Sequence, residues 1–297
     1  MFEQLCTKDF LRVAWSRVRA NGGTPGHDGE TAVGFATDLE ARLTRLRLEL
    51  LDGAYRPGRL RHVPLRRPDG RLRLLRIPNV TDRIVQTACH RLLSQRLDAR
   101  MSADSFGYRP ARSVDQALNR LRALAACGKT WALDADIAAF FDRIPHDRLL
   151  DDLGIWVADQ RVVSLIALWL ASFGGGCGLA QGGPISPILA NLYLHPLDRA
   201  LTGAGIAFVR YADDFVALAE GRPAAQKAHT IVAATLGRRG LALQPEKTRI
   251  LPLTAGLNFL GQRLEFAPFA PAAAGRPGHA PAQFQGRGAR QFAVRSP

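Results

Sequence analysis

Two adjacent aspartates, Asp213 and Asp214, are the residues whose types and spacing most suggest chemistry. They end a Tyr-Ala-Asp-Asp segment, residues 211–214, that lies between two short apolar runs at 208–210 and 215–218. The runs are rich in Phe and Val and predict two strands joined by a tight turn, with both carboxylates at its tip. Carboxylate oxygens suit Mg²⁺, and a pair of such ions can clamp the attacking and leaving oxygens of a phosphoryl transfer. Taken alone, the pair is more simply explained as an acidic turn that faces solvent.

A third carboxylate that could complete such a site comes from an earlier segment, residues 133–142. This segment predicts a short strand that ends in acids and is followed by two aromatic residues, Phe140 and Phe141. Asp136 is the best candidate, because Asp134 shares its strand face but lies further from the aromatic pair. The alternative is that the aromatic residues belong to the core and the acids cap the helix that follows.

Between these acids lies a glycine-rich loop, residues 181–187, with the sequence Gln-Gly-Gly-Pro-Ile-Ser-Pro. Its glycines permit a close approach of the backbone to a ligand, and the helix that it opens would offer unpaired N–H donors. A ligand pocket that begins at Gln181 is one interpretation. An ordinary glycine-rich entry into a helix is the other.

Hydrophobic periodicity predicts the elements that would position these residues. A basic segment, residues 56–78, alternates in character around a Pro68-Asp69-Gly70 turn, which predicts a basic β-hairpin. Helical spacing is found at 35–51, 82–97, 113–126 with Ser113 as a cap, 162–173, 188–201 with Pro196 expected to bend or end it, and 224–236. Strands are predicted at 131–137, 250–253 and 257–264. Because the mixture has no regular βαβ repeat, we predict an α+β fold with an antiparallel sheet.

Composition and charge limit the class of protein. With 297 residues, of which 47% are hydrophobic, the chain can form one large domain or two modest ones. Its 40 Lys and Arg against 26 Asp and Glu give a formal net charge of +14, which favours a nucleic acid partner over generic basicity.

Cysteine usage and the N-terminal residues favour a cytoplasmic protein. The 4 cysteines are far apart and form no CxxC, so neither a zinc site nor a disulfide framework is predicted. Glu3, Lys8 and Asp9 precede any apolar run, which argues against a secretory signal. Residues 162–197 carry no Asp, Glu, Lys or Arg, but glycines at 174–176 break the helix in this stretch. We therefore predict a buried helix there and no membrane span.

The order of these segments resembles the ordered motifs of reverse transcriptases, most closely those of the group II intron lineage, which also includes CRISPR-associated reverse transcriptases. The resemblance begins at Asp136 and the aromatic pair and continues through the Gln181 loop and Tyr-Ala-Asp-Asp to residues 244–248 and 259–261. Further matching segments extend it to roughly residues 20–265, and they are 26–29, 67–70, 77–78, 82–86 and 105–110.

The resemblance implies the fingers and palm of a right-hand polymerase, with a central antiparallel sheet packed on helices. The implied division is an N-terminal helical extension at 1–55, fingers with part of the palm at 56–130, and the palm with its catalytic centre at 131–266. Residues 267–297 form a basic tail rich in Pro, Ala and Gly, which is expected to be disordered.

The resemblance also implies an RNA-directed DNA polymerase that adds deoxynucleotides to a primer 3′-hydroxyl by a two-metal mechanism. Two Mg²⁺ ions would be held by Asp136, Asp213 and Asp214. Lys247 would assist the departure of pyrophosphate as a general acid. An RNA template, a DNA or RNA primer and dNTPs are the implied partners.

The nucleotide-binding residues are implied by the same resemblance. Basic side chains would hold the triphosphate, an aromatic ring would press on the sugar and exclude a 2′-hydroxyl, and two further residues would line the pocket. The basic side chains are Arg67, where Lys is common in the family, and Arg73. The aromatic ring is that of Phe140 or Phe141, and the pocket residues are Gln181 and Tyr211.

The sequence departs from the family pattern in two places. Leu74 and Arg76 stand where relatives usually have proline and glycine, which alters the hairpin without removing a catalytic group. After residues 259–261 we expect no helical thumb or maturase region. Two alternatives therefore stay open. One is an RNA-binding or maturase-like remnant with weak or no catalysis, and the other is a CRISPR or phage-defence reverse transcriptase whose protein partner supplies the thumb or an adaptation function.

Overall fold

The structure, a computed structural model, describes residues 1–66, 70 and 72–267, and of Leu72 and Arg73 it describes the backbone alone. The α-helices are α1 Phe2–Leu5, α2 Lys8–Asn21, α3 Ala32–Ala36, α4 Leu39–Leu51, α5 Val80–Leu97, α6 Val114–Ala126, α7 Phe140–Arg143, α8 His146–Trp156, α9 Gln160–Phe173, α10 Ser186–Gly203 and α11 Arg222–Arg238. The strands are β1 Arg61–Arg66, β2 Leu72–Ile77, β3 Trp131–Ala135, β4 Ala207–Tyr211, β5 Asp214–Ala219, β6 Arg249–Pro252, β7 Leu257–Phe259 and β8 Gln262–Leu264.

A four-stranded sheet in the order β4-β5-β3-β6 forms the centre of the molecule, and each neighbouring pair in it is antiparallel. Side chains alternate between its two faces. One face, with Leu133, Phe208 and Phe215, belongs to the main core together with α10 and α11. The other, with Val209 and Val216, packs with α6 and the β7–β8 hairpin. The predicted α+β fold with a central antiparallel sheet packed on helices is confirmed.

The basic hairpin predicted at 56–78 is confirmed as β1 and β2, which pair antiparallel along their whole length. Leu74 and Arg76, which depart from the family pattern, both lie in β2 and leave this pairing intact. Of the predicted turn, Pro68 and Asp69 lie outside the described residues.

The N-terminal helices share a core with the rest of the described chain. α2 packs along α5, and α4 packs on α2. Phe10, Leu11 and Trp15 of α2 are buried in this layer. The domain boundaries at residues 55, 130 and 266 stay a prediction. The expected disordered tail, 267–297, lies outside the described residues except for its first residue.

The single helix predicted over 35–51 is wrong, because the chain forms two helices there, α3 and α4. Asp38, between them, has φ −138° and ψ 46°, outside the helical region. Thr31 Oγ1 accepts the Gly34 N–H, and the Thr37 hydroxyl donates to the Gly34 carbonyl. Polar side chains thus close α3 after little more than one turn, by local bonds that compete with a continuing helix.

We predicted that Pro196 would bend or end the helix at 188–201. Helix α10 continues through this proline, so it does not end the helix. Proline removes one helical hydrogen bond and crowds the preceding turn. Leu194 and Leu197, on either side of it, are both buried in the main core. Their burial anchors both halves of the helix and offsets the lost bond.

The strand predicted at 257–264 is a hairpin instead, made of β7 and β8. Its turn residues Leu260 and Gly261 both have positive φ, 52° and 77°. Two successive left-handed residues reverse the chain in the sense that a two-residue hairpin requires.

The apolar helix predicted at 162–173 is α9, and it ends before Gly174 as expected. Val162 and Trp169 are fully buried in the main core. Across the described ranges, no helix combines the length and the apolar character that a membrane crossing requires.

Ser113 caps the start of α6, as predicted, and forms a capping box with Gln116. Its hydroxyl accepts the Gln116 N–H at 3.2 Å, and the Gln116 side chain accepts the Ser113 N–H at 3.0 Å. We expect Ser113→Ala to lower the free energy of unfolding by about 1 kcal/mol, because an orphan N–H loses its partner. Urea unfolding followed by circular dichroism measures this. Asn119→Ala, on the exposed side of the same helix, is the control, and an equal loss there would contradict the capping explanation.

Candidate active site

Strand pairing brings the predicted carboxylates to one end of the central sheet. The last residue pair of the β3–β5 ladder is Ala135 with Phe215. Asp136 and Asp214 are the next residues on each strand, and alternation directs both to the same face. Asp213 precedes Asp214 in the turn between β4 and β5. Three carboxylates from distant parts of the sequence therefore lie at the same end of the two central strands.

The turn that carries the aspartates is the tight reversal predicted from the sequence. Tyr211 pairs with Asp214, so Ala212 and Asp213 alone form the connection. Ala212 has φ 59°, in the left-handed region, which costs a non-glycine residue roughly 1–2 kcal/mol. The rest of the structure must therefore hold this conformation in place.

Arg210, the residue before the Tyr-Ala-Asp-Asp segment, is fully buried and makes four hydrogen bonds behind the turn. Its Nε and Nη2 donate to the two carboxylate oxygens of Asp198 at 2.7 and 2.6 Å. Its Nη1 donates to Asn191 Oδ1 at 2.9 Å and to the Ala212 carbonyl at 2.8 Å. A hydrogen bond from a charged group contributes about 1.5–3 kcal/mol, which is enough to offset the left-handed turn residue.

Sequence reasoning missed Arg210, Asp198 and Asn191. A signal was present, because Asn191 and Asp198 are seven residues apart on one face of α10, most of whose other residues are apolar. Polar side chains in an apolar helix are buried only when they are paired. The sequence alone did not show that their partner was the arginine beside the acidic turn.

A segment that the sequence identified only by resemblance, residues 105–110, supports the same turn together with Asp104 just before it. The Arg210 N–H donates to Asp104 O at 2.9 Å, and the Phe106 N–H donates to Arg210 O at 2.8 Å. Asn191 Nδ2 donates to Gly107 O at 2.7 Å. A Cβ on Gly107 would lie 2.4 Å from the Ala212 nitrogen, so only glycine allows this approach.

Negative charge is concentrated at this end of the central strands. The pKa of Asp214 is raised to about 7, first by burial and then by the charges of Asp134, Asp213 and Asp136. Burial also raises the pKa of Asp134, although Arg249 Nη2 contacts its carboxylate at 2.7 Å and acts in the opposite direction. A bound cation would relieve this repulsion.

Lys247 reaches the site because its segment is attached to the strand that carries Asp136. The Gln244 N–H donates to Asp136 O at 2.8 Å, and the Lys247 N–H donates to Gln244 O at 3.1 Å. The Lys247 ammonium then lies 2.6 Å from Asp136 Oδ2. The structure therefore brings together Lys247 and one of the three predicted carboxylates.

The two candidate aromatic residues differ in accessibility. Phe140 is 2% exposed and belongs to the main core, whereas Phe141 is half-buried. Their rings meet edge to face, with centroids 5.3 Å apart. The Leu179 N–H donates to Phe141 O at 2.6 Å, so Phe141 is hydrogen-bonded to the segment that leads into the Gln181 loop. Phe141 is therefore the one able to face a ligand.

The Gln181 loop is joined to the basic hairpin. The Arg76 N–H donates to Gln181 O at 3.0 Å, and a Cβ on Gly182 would lie 3.1 Å from Arg76 O. The hairpin is thus held next to the loop that was predicted to line a pocket. Arg67 lies outside the described residues, and Arg73 is described only by its backbone, opposite Leu65.

The carboxylates have the donor chemistry of a Mg²⁺ site, but they are not arranged as one. Within the described residues, no group of three or more His, Cys, Asp and Glu side chains is placed to hold a metal ion. One oxygen of Asp136 is instead paired with Lys247. An oxygen-only donor set at one sheet edge fits a hard cation, and the metal assignment of Asp136, Asp213 and Asp214 stays a prediction.

The family model for "Reverse transcriptase (RNA-dependent DNA polymerase)" matches residues 65–264. The chain belongs to the reverse transcriptase family. The match includes the central sheet, the acidic turn and the Gln181 loop, and it confirms the family predicted from the motif order.

Two curated relatives and one solved structure show the range of this similarity. Protein YkfC of Escherichia coli K12 is 31% identical in an alignment 290 residues long, and the match covers 81% of this chain and 76% of YkfC. The group II intron-encoded protein LtrA of Lactococcus lactis subsp. cremoris is 29% identical over 71% of this chain, but the match spans only 36% of LtrA. A truncated apo telomerase from Candida tropicalis aligns with 70% of this chain and 53% of its own at a TM-score of 0.54. At 15% identity, the telomerase shows the shared fold alone.

We expect Gly107→Ala to reduce RNA-templated DNA synthesis about ten-fold or more, because the new Cβ must displace the backbone of the acidic turn. Primer extension at saturating nucleotide measures the loss. Gly154→Ala in α8 is the matched control, since a Cβ there meets open space. Equal rates for both variants would show that the close approach at Gly107 does not position the turn.

Proposed function

We propose that this chain catalyses RNA-templated DNA synthesis by a two-metal mechanism. The observation that carries the proposal is the β3–β5 register, which sets Asp136 beside Asp214 at one end of these strands. The turn between β4 and β5 presents Asp213 at the same end. Two Mg²⁺ ions bound there would activate the primer 3′-hydroxyl and neutralise charge on the triphosphate. Asp136, Asp213 and Asp214 are the residues that would hold them.

The surrounding residues supply binding and proton transfer in this proposal. Lys247, already placed 2.6 Å from Asp136, carries an ammonium that can donate a proton to departing pyrophosphate. Arg67 and Arg73 on the basic hairpin would hold the triphosphate, and Gln181 and Tyr211 would line the pocket. What supports this grouping is the hydrogen bond that joins the hairpin to the Gln181 loop.

Phe141 would act as the barrier to a ribose 2′-hydroxyl. Its half-buried ring follows β3 at the same edge of the sheet as Asp136, while the ring of Phe140 fills the core behind it. A barrier must be rigid, because a mobile side chain would yield to the extra hydroxyl. The edge-to-face contact between the two rings supplies this support.

The substrates that follow are an RNA template, a DNA or RNA primer and dNTPs. The formal net charge of +14 suits binding to a phosphate backbone. We propose that the reaction takes place in the cytoplasm. The predicted protein partner and the CRISPR or phage-defence role stay predictions.

We expect Asp213→Asn to reduce primer extension on poly(rA)/oligo(dT) about 10²-fold or more, because the turn loses a charged ligand while the side chain keeps its shape. Asp52→Asn, at an exposed position after α4, is the matched control and should retain full activity. Incorporation of dTMP in the presence of Mg²⁺ is the readout. A wild-type chain that binds RNA but shows no Asp213-dependent incorporation would favour the RNA-binding remnant instead.

We expect Phe141→Val to weaken the preference for dNTPs over rNTPs about ten-fold, because a smaller side chain leaves room for the 2′-hydroxyl. The measurement is the ratio of kcat/KM values for dTTP and UTP on the same primer and template. Phe140→Leu is the comparison variant, because it removes only the ring that supports Phe141, and it should lower stability and relax the sugar choice less than Phe141→Val does. A larger effect at Phe140 than at Phe141 would reverse the assignment.

A further inference from the structure

We propose that Arg210 is a positioning residue, whose buried guanidinium fixes the peptide group that carries Asp213. The inference rests on the proposed function, because the direction of this carboxylate matters only if it acts in the reaction. Arg210 itself stays at a distance from substrate, since its side chain points to the opposite face of the sheet, toward α10.

The contact that carries the proposal is the hydrogen bond from Arg210 Nη1 to the Ala212 carbonyl, 2.8 Å long and fully buried. That carbonyl belongs to the peptide group between Ala212 and Asp213. A peptide group is planar, so holding its oxygen also orients the bond that leads to the Asp213 Cα. The guanidinium therefore acts on the direction in which the Asp213 carboxylate leaves the turn.

The other side of the same residue is also held. Gly107 packs against the Ala212 nitrogen so closely that a Cβ would lie 2.4 Å away. Asn191 connects the two supports, because its Nδ2 donates to Gly107 O and its Oδ1 accepts from Arg210 Nη1. Both peptide groups that flank Ala212 are thus fixed from behind by one network.

The chemistry of the guanidinium is needed for this arrangement. Asp198 takes two parallel hydrogen bonds, which leaves Nη1 to reach Asn191 and Ala212 at once. A lysine ammonium keeps the charge but lacks the planar fork, so it cannot serve all three partners in this geometry. The buried charge pair is not itself required for a stable fold, because apolar side chains of similar volume can replace such pairs.

The test separates positioning from folding by removing both charges together. The double variant Arg210→Met/Asp198→Leu leaves no uncompensated buried charge but loses the bond to the Ala212 carbonyl. We expect the variant to stay folded but with a melting temperature several degrees lower, because Asn191 Oδ1 and the Ala212 carbonyl lose their buried donor. Its affinity for Mn²⁺ alone, measured by electron paramagnetic resonance, and its kcat should each fall about ten-fold or more, with little change in KM for dTTP.

A matched control removes a second ion pair that touches no residue of the turn. Arg239 and Asp152 join the end of α11 to α8, with side chains 14% and 20% exposed. Arg239→Met/Asp152→Leu should keep the Mn²⁺ affinity and kcat of the wild type. If the Arg210 double variant does not fold, Arg210→Lys replaces it, and the same losses are expected at a temperature below its own melting point.

The outcomes distinguish this inference from the proposed function. A wild-type chain without Asp213-dependent synthesis counts against the proposed function. A wild-type chain with such synthesis, together with a folded Arg210 variant that matches it in Mn²⁺ affinity and kcat, overturns the role of Arg210 alone. Equal losses in the Arg239 control would also overturn it, because they would trace the effect to general loosening of the fold.

Discussion

The antiparallel pairing of β3 with β5 is the constraint on which the proposed chemistry depends. Side chains in a strand alternate with a period of two, so a slip of one residue would turn Asp136 away from Asp214 and toward the core. The register is firmly specified because both strands are almost entirely buried, with apolar side chains on each face. Helices α10 and α11 cover one face, and α6 with the β7–β8 hairpin covers the other.

The end of this sheet combines strong burial with a high density of charge. Burial raises the pKa of both Asp134 and Asp214, the charge of Asp136 adds to this, and Lys247 and Arg249 partly compensate from the neighbouring chain segment. Behind the turn, the buried pair of Arg210 and Asp198 is internally neutral. The molecule thus has a satisfied polar network on one side of the acidic turn and an excess of negative charge on the other, which is an arrangement suited to cations and phosphates.

Much of this could be predicted because local patterns carried it. Alternating and helical spacing gave the basic hairpin, α5, α6, α9, α11 and the turn at Tyr-Ala-Asp-Asp with useful accuracy. The errors fell where local bonds or burial overrode periodicity: hydroxyl contacts divided α3 from α4, two left-handed residues folded 257–264 into a hairpin, and core packing carried α10 through Pro196. α8 was not predicted at all, and α1 and α2 were expected only as part of an N-terminal helical extension without bounds. All three depend on apolar faces that tertiary packing buries.

The sequence by itself determined the family, the α+β architecture and the identity of the candidate residues, because motif order and residue chemistry are properties of the chain. Only the tertiary structure decided which residues meet. It placed Phe140 in the core and left Phe141 half-buried, paired Lys247 with Asp136, and enclosed Arg210 behind the Ala212 carbonyl. These are contacts between segments that are remote in sequence or depend on which face of an element is buried. Such contacts are set by packing and strand register, which no local pattern specifies.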